Sequence, residues 1–329
     1  MSLSVRVLLA AVAAATIATG PGMHAGVATA QTFPNRPIRL IVPWPPGGIS
    51  DTSARILAQH LTASMGQPVV VDNRAGAGST IGTDIVAKSS ADAHTLLYAD
   101  VTTTAINATA YPKLTYDTIK DLSPITMVGA SPLFLTVHGS VPAKTVQDLV
   151  GLAKAKPGML NFASAGNGST LHLAAELFRT AANVNIVHVP FKGSGPAMGS
   201  IVSGEVAMIF SASPPILSHI KTGALRALAT TKPSRSSVLP EVPALAEFYP
   251  GFQIFIVNGV LGPAGLPRER IERIGAEIAK AAQLPDVQKR FEALGVETRT
   301  SSPAELAAFL NTEITRLGKL IRDTGTKLE

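Results

Sequence analysis

From Ile38 onward, short runs of β-branched residues alternate with amphipathic stretches, and turns rich in glycine, serine and proline join them. Ile38 to Trp44 (IRLIVPW) reads as a buried strand, followed by Pro45-Pro46-Gly47-Gly48 and a helix from about Ser50 to Met65. In that helix Ala54, Leu57, Ala58, Leu61 and Met65 recur at three- and four-residue spacing, which gives it one apolar face. Val69 to Val71 and Thr95 to Tyr98 are expected strands, with a helix from Thr80 to Ala91 between them. After a loop-rich stretch the pattern resumes with strands at Leu133 to Val137, Leu160 to Ala163, Ile186 to Phe191, Met208 to Phe210 and Leu225 to Thr230. Helices are expected at Thr145 to Lys156 and Gly168 to Ala182, with a short one before Met208. The tail reads as helical over Arg268 to Ala282, Val287 to Leu294 and Pro303 to about Arg322.

Alternating strands and helices point to doubly wound α/β sheets, and the number of units is too high for one small sheet. The 329 residues fit two domains. No low-complexity tether separates the halves, so the chain is expected to cross between domains by strands. The expected leader covers 1–30.

Composition narrows the function. The chain is 46% hydrophobic and 15% charged, enough to bury a core and the opposite of a disordered composition. The formal charge is +6, yet the basic residues are scattered and aromatics make up only 5%, which argues against nucleic acid as a partner. With no cysteine, thiolate nucleophiles and cysteine-type zinc sites are excluded. Arg6, the apolar run Val7 to Thr19 and Ala28-Thr29-Ala30 before Gln31 form the pattern of a Sec-type signal peptide. That run is shorter than the ~20 residues that span a bilayer. The mature chain is expected to be free in the periplasm, as a monomer.

Two strand-to-helix turns carry the candidate chemistry. In open α/β sheets ligands sit beyond the carboxyl ends of strands, at helix N-termini. The first turn offers Gly47, Gly48, Ile49, Ser50 and Asp51, where glycines let the backbone approach a ligand and first-turn amides favour an anion. The second, Ser164 to Thr170, offers Ser164, Ala165, Gly166, Ser169 and Thr170. Facing one another, the two could hold a carboxylate without an arginine. Gly76-Ala77-Gly78-Ser79-Thr80-Ile81-Gly82 has the look of a dinucleotide fingerprint, but its distance from the preceding strand and the export signal make it a structural turn. No cofactor and no metal site are expected. There is no G-x-S-x-G elbow and no H-E-x-x-H. The rival reading is a secreted serine hydrolase using Ser169 and His172, and it lacks a third group to orient the histidine. His188 and His219 read as structural.

Taken together these motifs resemble the Bug receptors, the TctC-like substrate-binding proteins of tripartite tricarboxylate transporters. The resemblance spans the mature chain. It rests on Phe33-Pro34-Asn35-Arg36-Pro37-Ile38, on Pro43-Trp44-Pro45-Pro46-Gly47-Gly48 with Asp51 and Arg55, and on Asp72-Asn73-Arg74-Ala75-Gly76-Ala77-Gly78. Tyr116 to Asp121, the glycine turn with Ser169 and His172, Phe191 to Ala197 and Arg226 to Ala229 complete it. It implies a two-domain, type II periplasmic-binding-protein fold of the Venus-flytrap kind, with a first domain made of 31–130 plus 254–329, a second over 131–253, and a small organic carboxylate bound in the cleft. It also implies no enzymatic activity, and transporter membrane subunits or a sensor kinase as partners. Three departures stand out. Ser211 replaces a usual Asp, Val257 lies where a Trp is common, and Asp100 replaces a small residue. Ser211 in place of an acid favours a dicarboxylate or neutral-tailed acid over an amino acid, whereas an Asp100 facing the cleft would cut the other way.

Overall fold

The computed structural model describes residues 33–111 and 113–324, so the expected leader lies outside the described residues. The architecture below belongs to the unit that begins at Arg36.

The strands and helices follow the order β1 (Ile38–Val42), α1 (Ile49–Met65), β2 (Val69–Asn73), α2 (Thr80–Ala87), β3 (Thr95–Asp100), α3 (Val101–Ala110) and β4 (Leu122–Pro132). Then come β5 (Phe134–His138), α4 (Val146–Ala155), β6 (Asn161–Ser164), α5 (Thr170–Ala181), β7 (Val187–Pro190), α6 (Ser194–Val202), β8 (Met208–Ser211), α7 (Ser213–Lys221) and β9 (Leu225–Thr230). The chain ends with β10 (Phe255–Pro263), α8 (Arg268–Ala282), α9 (Pro285–Ala293), β11 (Glu297–Thr298) and α10 (Pro303–Thr324). Local chemistry sets many of these boundaries. Gly66 stops α1 in the left-handed conformation at φ 72°, and Thr145 with Asp148 forms a reciprocal capping box on α4.

Two sheets result. The first has the order β11-β4-β10-β3-β1-β2 and the second β7-β6-β8-β5-β9. β1 lies parallel to β2 and β3, and β6 lies parallel to β7 and β8, while β10 and β5 run antiparallel to their neighbours. A parallel strand must be followed by a crossover, here a helix, so each such helix starts at the same edge of its sheet. In the first sheet that edge carries the N-termini of α1 and α3, and in the second those of α5, α6 and α7.

Each sheet has its own buried layer. Ile41, Leu97, Ala99, Leu306 and Leu310 lie in one cluster, and Phe162, Phe178 and Phe210 in another. The far end of α10 reaches across, since Leu317 and Ile321 share a cluster with Ile106 of α3 and Leu173 and Phe178 of α5.

The chain passes between sheets twice, at Leu133 and between Thr230 and Phe255. Thr231, fully buried, ties both passages. Its hydroxyl donates to the Ile254 carbonyl at 2.6 Å and accepts from the Leu133 amide at 2.9 Å, and its own amide donates to the Leu133 carbonyl at 2.8 Å. Thr231→Val keeps the shape but strands the Leu133 amide without an acceptor. A loss of about 1–3 kcal/mol is expected, measured as a lower urea midpoint at unchanged m-value; an unmoved midpoint would show that this tie contributes nothing.

Candidate functional site

The two helix-bearing edges face each other across a cavity of about 680 Å³. Five helix N-termini border it: the N-cap or first residue of α1, α3, α5, α6 and α7 is in its wall. The first amides of a helix have no intrahelical acceptor, and together with the helix dipole they favour negative charge.

The five ends are not equivalent. Asp100 caps α3 with its own side chain, accepting from the Thr102 and Thr103 amides at 3.1 and 3.3 Å. Ser169 caps α5 by accepting from the His172 amide at 3.3 Å. Gly48, Gly193 and Ala212 supply no side-chain cap to α1, α6 and α7.

Of the residues expected from sequence, Gly47, Gly48, Ile49 and Ser50 line the cavity from one side, and Ala165, Ser169, Thr170 and Ser211 from the other. Asp51, Ser164 and Gly166 stand behind the wall. Asp51 accepts from the Gly47 amide at 2.9 Å and from Asn73 and Arg55 at 2.9 and 3.0 Å. Burial opposes its charge, but these donors together hold the carboxyl below its ordinary range. Its effect is to fix the first turn. Ser50 donates its hydroxyl to Asn258 Oδ1 at 2.9 Å, which leaves its main chain as its polar contribution to the cavity. The Ser211 hydroxyl donates to the adjacent Ala212 carbonyl at 3.2 Å.

The second turn rests on a stack of rings. Phe162 and His188 lie 4.9 Å apart, and His188 and His172 3.8 Å apart. His188 Nε2 is 2.6 Å from the Ser164 hydroxyl, which also accepts from the Gly166 amide at 3.1 Å. His172 Nδ1 accepts from the Gly168 amide at 3.2 Å, which puts the ring proton on Nε2, toward Glu176. Ser169 donates to the Gly166 carbonyl at 2.8 Å. The serine and histidine of the hydrolase reading are thus each committed to the turn's main chain.

Asp100 does face the cleft. It is buried, and its Oδ2 accepts at 2.7 Å from Thr103 of its own helix and at 2.7 Å from Thr170 of the opposite sheet. Burial pushes its carboxyl above the usual range despite these bonds. It therefore ties the two halves at the floor of the cavity.

Further contacts join the halves at both ends. A Cβ at Gly48 would lie 3.8 Å from Ser194 Oγ, and one at Gly193 would lie 3.3 Å from Pro45. Across the cavity, a Cβ at Gly295 would come within 2.7 Å of Ser213 Oγ and 2.9 Å of Pro214 Cδ. Sequence reasoning passed over Gly193-Ser194-Gly195 as a binding turn, although it has the same strand-glycine-helix composition as the two turns singled out. It also placed no weight on Pro214, Pro215 or Leu294. The dinucleotide-like segment forms a tight turn at Gly76 to Ser79, where Asn107 donates to the Gly78 carbonyl at 2.8 Å.

Residues 53–326 match the family model described as "Tripartite tricarboxylate transporter family receptor", TctC. The chain is 41% identical over 312 residues to the protein BugT of Bordetella pertussis, covering 93% of this chain and 95% of that one. Among solved structures, "R. palustris Rpa4515 with adipate" superposes with TM-score 0.84 at 31% identity, covering 90% of this chain and 99% of that one. MatC (Rpa3494) from Rhodopseudomonas palustris with bound malate gives 0.82 at 29%, covering 88% and 100%.

Two measurements test this geometry. Burial lowers the pKa of His172 to about 4, with Arg179 adding repulsion, and burial lowers that of His188 to about 3, with His172 adding repulsion. An unfolded histidine titrates near ~6.5, so below that pH the unfolded chain holds more protons and stability must fall on acidification toward pH 4. The raised Asp100 acts with the opposite sign. The melting temperature is expected to drop over this window, and a His172→Gln, His188→Phe variant to flatten the slope; an equal slope in both would remove the histidines as its cause. Gly295 sits at φ +66°, so Gly295→Ala costs about 1–2 kcal/mol locally and holds the halves apart. Small-angle scattering should show a larger radius of gyration, and an unchanged radius would mean that the contact is not a closure point.

Proposed function

Because the chain belongs to the TctC family of tripartite tricarboxylate transporter receptors, we propose that it captures one small organic carboxylate in the periplasm and delivers it to transporter membrane subunits. The family and fold are those of periplasmic solute-binding proteins. The observation that carries the reading is the convergence of uncapped helix ends from two sheets on a single cavity.

In this reading the amides of Gly48, Ile49 and Ser50 supply free donors to the carboxylate, while Ser169 and Thr170, whose own amides are taken by the Gly166 carbonyl and the Thr103 hydroxyl, shape the opposite wall. Ala165 and Ser211 complete the wall, while Gly47, Asp51, Ser164 and Gly166 hold the two turns in place. Each charge-assisted hydrogen bond contributes about 1.5–3 kcal/mol net, so a few suffice for micromolar binding at roughly −8 kcal/mol. The moving lobes are 31–130 with 254–329 and 131–253, turning about the passages tied by Thr231. A ligand that touches both lobes favours the closed form by its differential contacts.

A thermal-shift screen of organic acids tests the reading. A ligand at about 100 times its Kd stabilises by about 2.7 kcal/mol, and no turnover should accompany binding. Gly48→Pro isolates the main-chain donor, because Gly48 has φ −76° and an added Cβ meets nothing closer than 3.8 Å. Affinity for whichever acid binds should fall about tenfold or more with the circular dichroism spectrum intact. Full affinity in that variant would refute the assignment of the site.

A further inference from the structure

The cavity is chemically lopsided, and the asymmetry follows from strand order. β1, which leads into α1, and β11, which follows Leu294, are four strands apart in the first sheet, or roughly 19 Å at ~4.8 Å per strand. In the second sheet β7 and β8, which lead into α6 and α7, lie two strands apart, roughly 10 Å. The glycine contacts fix which ends meet. Gly48 of α1 faces Ser194 of α6, and Gly295 beside Leu294 faces Ser213 and Pro214 of α7.

At the first of these poles most of the donors remain. α1 opens with Ile49 and Ser50 and α6 with Ser194 and Gly195, whose first-turn amides have no intrahelical acceptor, and Pro196 removes only the third amide of α6. Lys192, two residues before Ser194, adds the only cationic side chain that the described residues bring to the cavity wall. At the second pole the donors have been removed. α7 begins Ser213-Pro214-Pro215, so two of its first three residues have no N–H to offer. Leu294 closes the same end, and Ile256 lies in the wall. Between the poles, the N-terminus of α3 is already filled by Asp100, which takes the Thr102 and Thr103 amides and leaves no donor there for a second anion.

From this we infer that the ligand is a monoanion with an apolar body: one carboxylate at the α1–α6 pole and a hydrocarbon or aromatic portion against Pro214, Pro215 and Leu294. A second carboxylate on the ligand would lose its water at the far pole and gain neither amides nor a cation there, which is unfavourable. The inference rests on the carboxylate reading above and sharpens it.

Isothermal titration of the purified mature chain with length-matched pairs provides the test. Straight-chain monoacids from butyrate to octanoate, together with 3-phenylpropionate, are compared with diacids from succinate to suberate, and heptanamide serves as the uncharged control. The expected result is a monoacid that binds about tenfold or more tighter than the matched diacid, with no binding of the amide. A Leu294→Arg variant, which places a cation at the far pole, should narrow that gap by about tenfold; Pro214→Ala with Pro215→Ala, which restores two amides, should shift it the same way. A diacid that binds as well as or better than its monoacid partner overturns the inference and leaves the carboxylate reading standing. Failure of every acid to bind overturns both.

Discussion

An α-helix ends with amides that point outward and find no partner within the helix, and this constraint organises the molecule. Parallel strands oblige their helices to begin at one edge of the sheet, so a fold with two partly parallel sheets sets two rows of such ends against each other. What distinguishes one row position from another is then decided by single residues. Asp100 fills one end, Ser169 caps another, Pro214 and Pro215 strip a third, and Gly48 and Gly193 leave two open. Specificity in this arrangement is a matter of which ends are left unanswered.

The same economy explains why the second turn is buttressed by aromatic rings. A loop that must present its main chain to a ligand cannot also use that main chain to hold itself in place. Ser164, His172 and His188 supply the missing hydrogen bonds from behind, and burial keeps both imidazoles neutral so that they accept and donate without carrying charge into the wall. Asp51 does the corresponding service for the first turn, with Arg55 and Asn73 answering its charge.

Much of this was legible in the sequence, because most strands are short apolar runs bounded by turn residues and most of the helices beside them are one-sided. The region between Tyr98 and Leu133 was not. It reads as loop, yet it holds α3 and the longest strand, β4. α3 is VTTTAINATA, poor in strong helix formers and without an apolar stripe, because nearly all of its first turns are buried and no polar face is needed. β4 contains Pro124, Gly129 and Pro132, which suggest turns. The structure shows why they are tolerated: on the β11 side the chain bonds β4 only from Thr126 to Ala130, so Pro124 and Pro132 fall beyond the bonded stretch, and a Cβ at Gly129 would strike Val296 and Glu297. β10 was missed for a related reason, since Asn258 and Gly259 interrupt its apolar run at the point where Ser50 and Val101 come close. The two glycine turns were visible because their composition is local. The third turn, the stripped α7 and the reach of Leu294 depend on which strands are neighbours, and a linear chain does not display that.

The passages tied by Thr231 have a bearing on how such a molecule opens. No strand of one sheet pairs with a strand of the other, and the Thr231 hydrogen bonds join the two crossing segments to each other. What holds the halves together is therefore carried by side chains: the touches at the cavity rim, the bonds of Thr170 to Asp100 and Thr103, and the apolar seam where Leu317 and Ile321 of α10 meet Leu173 and Phe178 of α5.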